Sequence, residues 1–243
     1  MVEEGLQVVG DAEDADVVVV NTCGFIEPAK EESIETILEA SRLKERGRCK
    51  AVVVTGCLST RYEKELKQEM SGDADLILTL REERDIVRHV DQLLGRTRGH
   101  YVDTVPRTSL TPTHWAYLRI SDGCDHKCAF CAIPTIRGRH VSESMEDLVA
   151  EAQRLAANGV RELVLVAQDS VRYGVDLYGK AQLVPLLEKL AAVDGIEWMR
   201  LMYTYPAFWT EPMLEFYAGN SKMYKYVDMP LQHIADPVLI RMK

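Results

Sequence analysis

Cys124, Cys128 and Cys131 stand at the spacing C-x3-C-x2-C, inside the run Gly123-Cys124-Asp125-His126-Lys127-Cys128-Ala129-Phe130-Cys131-Ala132-Ile133-Pro134. Three thiolates can hold three irons of a [4Fe-4S] cluster, which leaves the fourth iron open to a substrate or cofactor. The other chemistry this spacing allows is a structural zinc knuckle, with His126 or an outside ligand as fourth donor. Zinc motifs more often pair two CxxC-type hooks, so the multi-iron reading is preferred.

Two more cysteines repeat a local pattern. Cys23 follows the valine run Val17-Val18-Val19-Val20, and Cys57 follows Val52-Val53-Val54; each adjoins a glycine. In an open parallel sheet, ligands bind at the carboxyl ends of strands. Two cysteines in equivalent loops of neighbouring strands could therefore converge on one metal centre. They could also be two small buried residues. Cys49 precedes the strand that Cys57 follows. Eight extended residues cover roughly 26 Å, so Cys49 is expected to be structural and remote from Cys57.

The elements that must position these residues read as α/β. In residues 1–95, Val17–Val20, Ala51–Val54 and Leu76–Leu78 alternate with helix candidates Pro28–Arg46, Arg61–Met70 and Glu82–Leu94. Unbroken apolar runs predict strands buried on both faces, in an open parallel sheet flanked by helices. Residues 96–113 lack periodicity and read as a linker. A second series fills 114–243, with strands predicted at Tyr117–Ile120, Leu163–Ala167, Trp198–Met202 and Tyr226–Asp228. Ser144 begins a helix with a near capping box, which Asn158-Gly159 ends. Leu183, Leu186, Leu187 and Leu190 mark the next helix. Four strands are too few to close a barrel. Trp115, Trp198 and Trp209 read as packing residues, and His126 as solvent-facing.

Composition bounds the function class. The chain has 243 residues, 47% of them apolar, and a net charge of −9. The negative balance argues against nucleic acid as the main partner and allows a basic protein partner. No apolar run nears the ~20 residues of a membrane span, and no secretory signal is visible. Six clustered cysteines fit metal ligation in a reducing compartment, so the cytoplasm is the expected location.

Val20-Asn21-Thr22-Cys23-Gly24-Phe25-Ile26, Val54-Thr55-Gly56-Cys57-Leu58 and the run Ser121–Pro134 together resemble the methylthiotransferases of the radical S-adenosylmethionine superfamily. The resemblance implies an N-terminal domain whose three cysteines hold a second [4Fe-4S] cluster, followed by a partial radical-SAM (β/α)6-type barrel. Cys23 and Cys57 match two of those three cysteines. The third would lie upstream of Met1, and the end of the barrel and a small β-barrel domain would lie beyond Lys243. On this expectation the chain is a fragment and inactive by itself.

Within the family, Ala167-Gln168-Asp169-Ser170, Tyr173-Gly174 with Asp176-Leu177-Tyr178, and Pro230-Leu231-Gln232-His233 are similar to the branch that modifies an aspartate of ribosomal protein uS12. That resemblance implies uS12 as partner, a low-potential electron donor, no membrane and only indirect contact with nucleic acid. S-adenosylmethionine would supply both a radical and a methyl group. By the same resemblance Phe130 lies near its adenine. Gln168 and Asp169, at a carboxyl strand end, are expected to contact the cofactor. Gln232 and His233, after the predicted fourth strand, are further expected contacts. Glu143, in Ser142-Glu143-Ser144, stands where the family commonly has a basic residue. The alternatives are a tRNA adenosine methylthiotransferase and a non-catalytic, zinc-stabilised binding module.

Overall fold

The computed structural model describes residues 6–96 and 112–242. They form two compact units, residues 6–96 and residues 112–242. Most of the expected linker, at 97–111, lies outside the described residues.

The first unit runs β1 (Val17–Thr22), α1 (Glu27–Arg46), β2 (Ala51–Gly56), α2 (Cys57–Arg61), α3 (Glu63–Glu69), β3 (Leu76–Ile77) and α4 (Ile86–Leu93). Its three strands are parallel in the order β1-β2-β3. β2 is central and buried along its whole length, as an unbroken apolar run requires. Alternate β2 side chains feed two cores. Val52 and Val54 pack with Ile37 and Ala40 of α1 and Leu66 of α3. Val53 packs with Leu78 and Val90 on the other face. Pro28 opens α1 and Gly47 ends it. The helix expected over Arg61–Met70 forms as α3, and Tyr62 (φ −124°, ψ 38°) leaves helical geometry and separates it from the short α2 before it.

The second unit runs β4 (Trp115–Arg119), β5 (Ser121–Asp122), α5 (Ile133–Ile136), β6 (Val141–Ser142), α6 (Met145–Ala157), β7 (Glu162–Val166), α7 (Val175–Tyr178), α8 (Leu183–Ala191), β8 (Trp198–Leu201), α9 (Glu211–Gly219) and α10 (Asp236–Met242). β4, β7 and β8 form a parallel sheet in that order, and β5 pairs with β6 antiparallel. The Ser144 hydroxyl accepts from Asp147 N–H and starts α6. One sheet face, with Leu118, Leu163, Leu165, Met199 and Leu201, packs on Leu148 and Ala152 of α6 and on Leu183, Leu186, Leu187 and Leu190 of α8.

Two expectations are corrected here. Tyr226–Asp228 does not form a fourth strand. Met223 makes an isolated parallel bridge to Met199, and a tight turn from Tyr226 N–H to Tyr224 C=O then breaks the register. Trp198 does not pack in the core. It alternates with buried Met199, so it points to the opposite face of the sheet and is 55% exposed.

Candidate metal centre

The cysteine loop of the second unit leaves the sheet just after β5. Gly123 makes this exit possible. Its φ is +75°, and a Cβ there would lie 2.1 Å from the Arg139 carbonyl oxygen. Gly123 N–H donates to Gln168 Oε1 at 2.6 Å, and Cys124 N–H donates to Gly138 C=O at 3.2 Å. Asp122 accepts from Arg137 Nη1 at 2.9 Å. At the far side of the loop, Cys131 N–H donates to Cys128 C=O and Ala129 N–H to Met242 C=O, at the end of α10.

Beyond β7, Gln168 and Asp169 reach back to this loop. Asp169, 2% exposed, sets Oδ2 2.6 Å from His126 Nε2. The His126 ring stacks on Tyr205, with centroids 4.6 Å apart, and on Phe208, at 5.5 Å. His126 is thus not the solvent-facing residue expected: its side chain is 18% exposed and is held from three sides. Nothing in the local spacing could show this, because Tyr205 and Phe208 come from beyond β8. Ser170 joins the two strand ends, its N–H donating to Tyr203 C=O and its hydroxyl to Met202 C=O.

Two of the three thiols are shifted by burial and by their neighbours. Burial pushes the Cys124 thiol up, a hydrogen bond from His126 N–H opposes it, and Asp169, Cys131 and Cys128 push it further up. Burial and then Cys131 push Cys128 up. Among the described residues, no three His, Cys, Asp or Glu side chains gather closely enough for a single metal ion. Thiolates around a multi-iron cluster are held apart by the cluster itself, so they need not converge on one point. The donor set, three thiols on one loop, fits such a group in its chemistry, and coordination by iron would take up their negative charge. Asp169 Oδ1 is buried and has no hydrogen-bond partner among the described residues. It is an acceptor suited to an ammonium group brought by a bound cofactor.

A second network stands beside the loop. Asp176 accepts from the Ser142 hydroxyl (2.6 Å) and amide (2.8 Å). Burial pushes its carboxyl up, but these two bonds, with the Asp176 backbone amide and His140, together outweigh burial and hold it below the usual range. The buried His140 ring lies 3.1 Å from Ser142 Oγ, and the His140 backbone N–H donates to Asp125 Oδ1. Tyr173, fully buried, donates its hydroxyl to Glu143 C=O at 2.9 Å. The Glu143 carboxylate faces Arg119 at 4.0 Å.

The remaining expected contacts are more open. Phe130 is exposed. Gln232 and His233 lie on an exposed stretch before α10, where His233 Nδ1 accepts from Ala235 N–H.

In the first unit, Thr22 of β1 is in register with Gly56 of β2, so Cys23 and Cys57 leave adjacent strands at the same end. Cys23 is exposed and Cys57 partly so. Ser33 of α1 fixes the first: its hydroxyl accepts from Cys23 N–H at 3.0 Å and donates to Ala29 C=O at 2.7 Å. Arg61 Nη1 donates to Gly24 C=O. The two loops are so close that a Cβ on Gly24 would lie 2.8 Å from Leu58 Cα. Cys49 is buried at the other end of β2 and donates to Ala51 C=O.

Residues 1–79 match an uncharacterized protein family, UPF0004, and residues 118–243 match the radical SAM superfamily. The chain is 47% identical to the ribosomal protein uS12 methylthiotransferase RimO of Clostridium tetani, over 99% of this chain and 55% of that protein. It is 44% identical to RimO of Desulforamulus reducens, over 99% of this chain and 56% of the relative. The chain thus spans about half the length of the curated relatives it matches. Among solved structures, the radical S-adenosylmethionine methyltransferase TsrM from Kitasatospora setae aligns with a TM-score of 0.61 and 14% identity, over 92% of this chain and 49% of TsrM. That likeness concerns the fold alone.

Proposed function

This chain belongs to the radical S-adenosylmethionine superfamily, and on that premise we propose that it is a methylthiotransferase for the β-carbon of an aspartate in ribosomal protein uS12. The observation that carries the proposal is the continuous likeness to RimO proteins across both units. Cys124, Cys128 and Cys131 would hold one [4Fe-4S] cluster. Cys23 and Cys57, side by side at a carboxyl sheet end, would be ligands of a second.

When bound, the iron–sulfur group and S-adenosylmethionine supply a one-electron route to a saturated C–H bond that no side-chain base can ionise. The chain's own residues bind and orient. Gln168 and Asp169 keep the cysteine loop at the carboxyl end of β7. Asp169 Oδ1 offers its buried acceptor to the cofactor, and exposed Phe130 offers an apolar face beside Cys131. Gln232 and His233 complete the set of proposed cofactor contacts from the stretch before α10. Among the described residues no helix is long and apolar enough to cross a membrane. The proposed setting is the cytoplasm, with a low-potential electron donor and with nucleic acid touched only through the ribosomal substrate.

The test is mass spectrometry of uS12 and of tRNA after incubation with reconstituted full-length protein, S-adenosylmethionine, sulfide and a reductant. A methylthio addition on uS12 is expected, with tRNA unchanged. Addition to tRNA alone would overturn the substrate assignment. A protein that takes up zinc and forms no brown chromophore would overturn the enzyme reading.

A further inference from the structure

Between Cys124 and Cys128 the chain has no regular secondary structure. A loop of this kind costs about 1–2 kcal/mol per residue to fix, so something must hold it if the sulfurs are to stay near one another. Among the described residues, Asp125 is tied through long bonds, from His140 N–H at 3.3 Å and Arg139 Nε at 3.5 Å. His126 is held far better. Its Nε2 lies 2.6 Å from the buried carboxylate of Asp169, and its ring stacks within 26° of both Tyr205 and Phe208. Its own N–H points at Cys124 Sγ, 3.5 Å away. One side chain therefore joins the cysteine loop to the segment after β7 and the segment after β8.

We propose that His126 is a positioning residue: the bond to Asp169 and the stack on Tyr205 and Phe208 set the Cys124–Cys128 loop in its ligand-bearing conformation before any iron is bound. This rests on the reading of the three cysteines as cluster ligands. The chemistry explains the choice of residue. A lysine could reach Asp169 but could not stack, and a phenylalanine could stack but would leave a buried carboxylate bare. Tying the loop to two strand ends also means that the loop cannot shift without disturbing the sheet end that would face the cofactor. Gln168, through Gly123 N–H, pins the start of the same loop.

Hydrogen exchange on the metal-free whole chain tests the proposal without reference to activity. His126→Ala should raise amide exchange across residues 123–131 by about tenfold or more, the effect of losing one charge-assisted hydrogen bond. Amides of α8 should stay at the wild-type rate. His126→Gln keeps an N–H donor for Asp169 and should recover part of the protection. After reconstitution, its reduced cluster should give the wild-type paramagnetic resonance spectrum, and that of His126→Ala should differ. Wild-type exchange at 123–131 in His126→Ala would overturn the clamp. Should that variant fail to fold, Tyr205→Ala removes the stack alone, and unchanged loop exchange there overturns it equally. The two readings fail separately. Wild-type protein that protects the loop yet binds no iron would sink the ligand assignment. Wild-type protein that loads iron beside an unaffected His126→Ala would sink the clamp.

Discussion

Replacing Gly56 by Ala should destabilise the first unit and separate Cys23 from Cys57. Gly56 has φ +109° and ψ −158°, a region that only glycine adopts without strain. Holding Ala there costs about 1–3 kcal/mol. The added methyl would also lie 2.3 Å from Thr22 C=O, 2.6 Å from Asn21 Oδ1 and 2.7 Å from Thr22 N. Two of these are backbone atoms of the neighbouring strand and cannot swing aside. Overpacking of that kind costs about 1–3 kcal/mol more. The expected total, about 2–6 kcal/mol, is a large share of the roughly 5–15 kcal/mol typical of a folded domain. Urea unfolding followed by circular dichroism would read it as a lower midpoint for the first unit. Gly72→Ala is the control: its methyl meets open space and should change stability by less than about 1 kcal/mol. Iron content of the reconstituted protein would report the second consequence, loss of the proposed N-terminal cluster with the proposed cluster of Cys124, Cys128 and Cys131 retained. A Gly56→Ala protein with the midpoint of the control would refute the close-approach argument.

Other substitutions probe the remaining supports. Cys128→Ala should abolish the low-temperature paramagnetic resonance signal assigned to the cysteine loop, and an unchanged signal would contradict the ligand set. Ser33→Ala leaves Cys23 N–H without its buried acceptor; a loss of about 1–2 kcal/mol is expected, with faster exchange at the Cys23 amide. Burial holds the His140 imidazole below its ordinary value of 6.5, so the folded chain keeps it neutral where the unfolded chain takes up a proton. Stability should therefore fall as pH drops from about 6.5 towards the lower folded value, and His140→Gln should flatten that part of a denaturation-against-pH profile. A profile equally steep in the variant would show that His140 is not the group responsible.

The chemistry and the class of the fold were legible in the order of the residues. C-x3-C-x2-C points to a three-thiolate site because ligand spacing is a local, covalent property of the chain, and the ligand set itself is the proposal made above. Unbroken valine and leucine runs mark β1, β2 and β7, so period and continuity alone point to buried parallel strands. The caps at Ser144 and Gly47 are equally local. The equivalence of Cys23 and Cys57 followed from their shared place after a strand, and the register Thr22↔Gly56 supplies the alignment that makes them neighbours. Contacts between residues far apart in the chain belong to the folded state alone. His126 meets Tyr205 and Phe208, and Gln168 takes the Gly123 amide, because the parallel strands deliver their following loops to one end of the sheet. Ser33 holds Cys23 because α1 packs back beside β1. No periodicity encodes such meetings. The break at Tyr62 and the turn that ends the β8 pairing near Tyr226 were hidden for a related reason. Both are backbone conformations that residue type leaves open, and the packing of the surrounding elements decides between them.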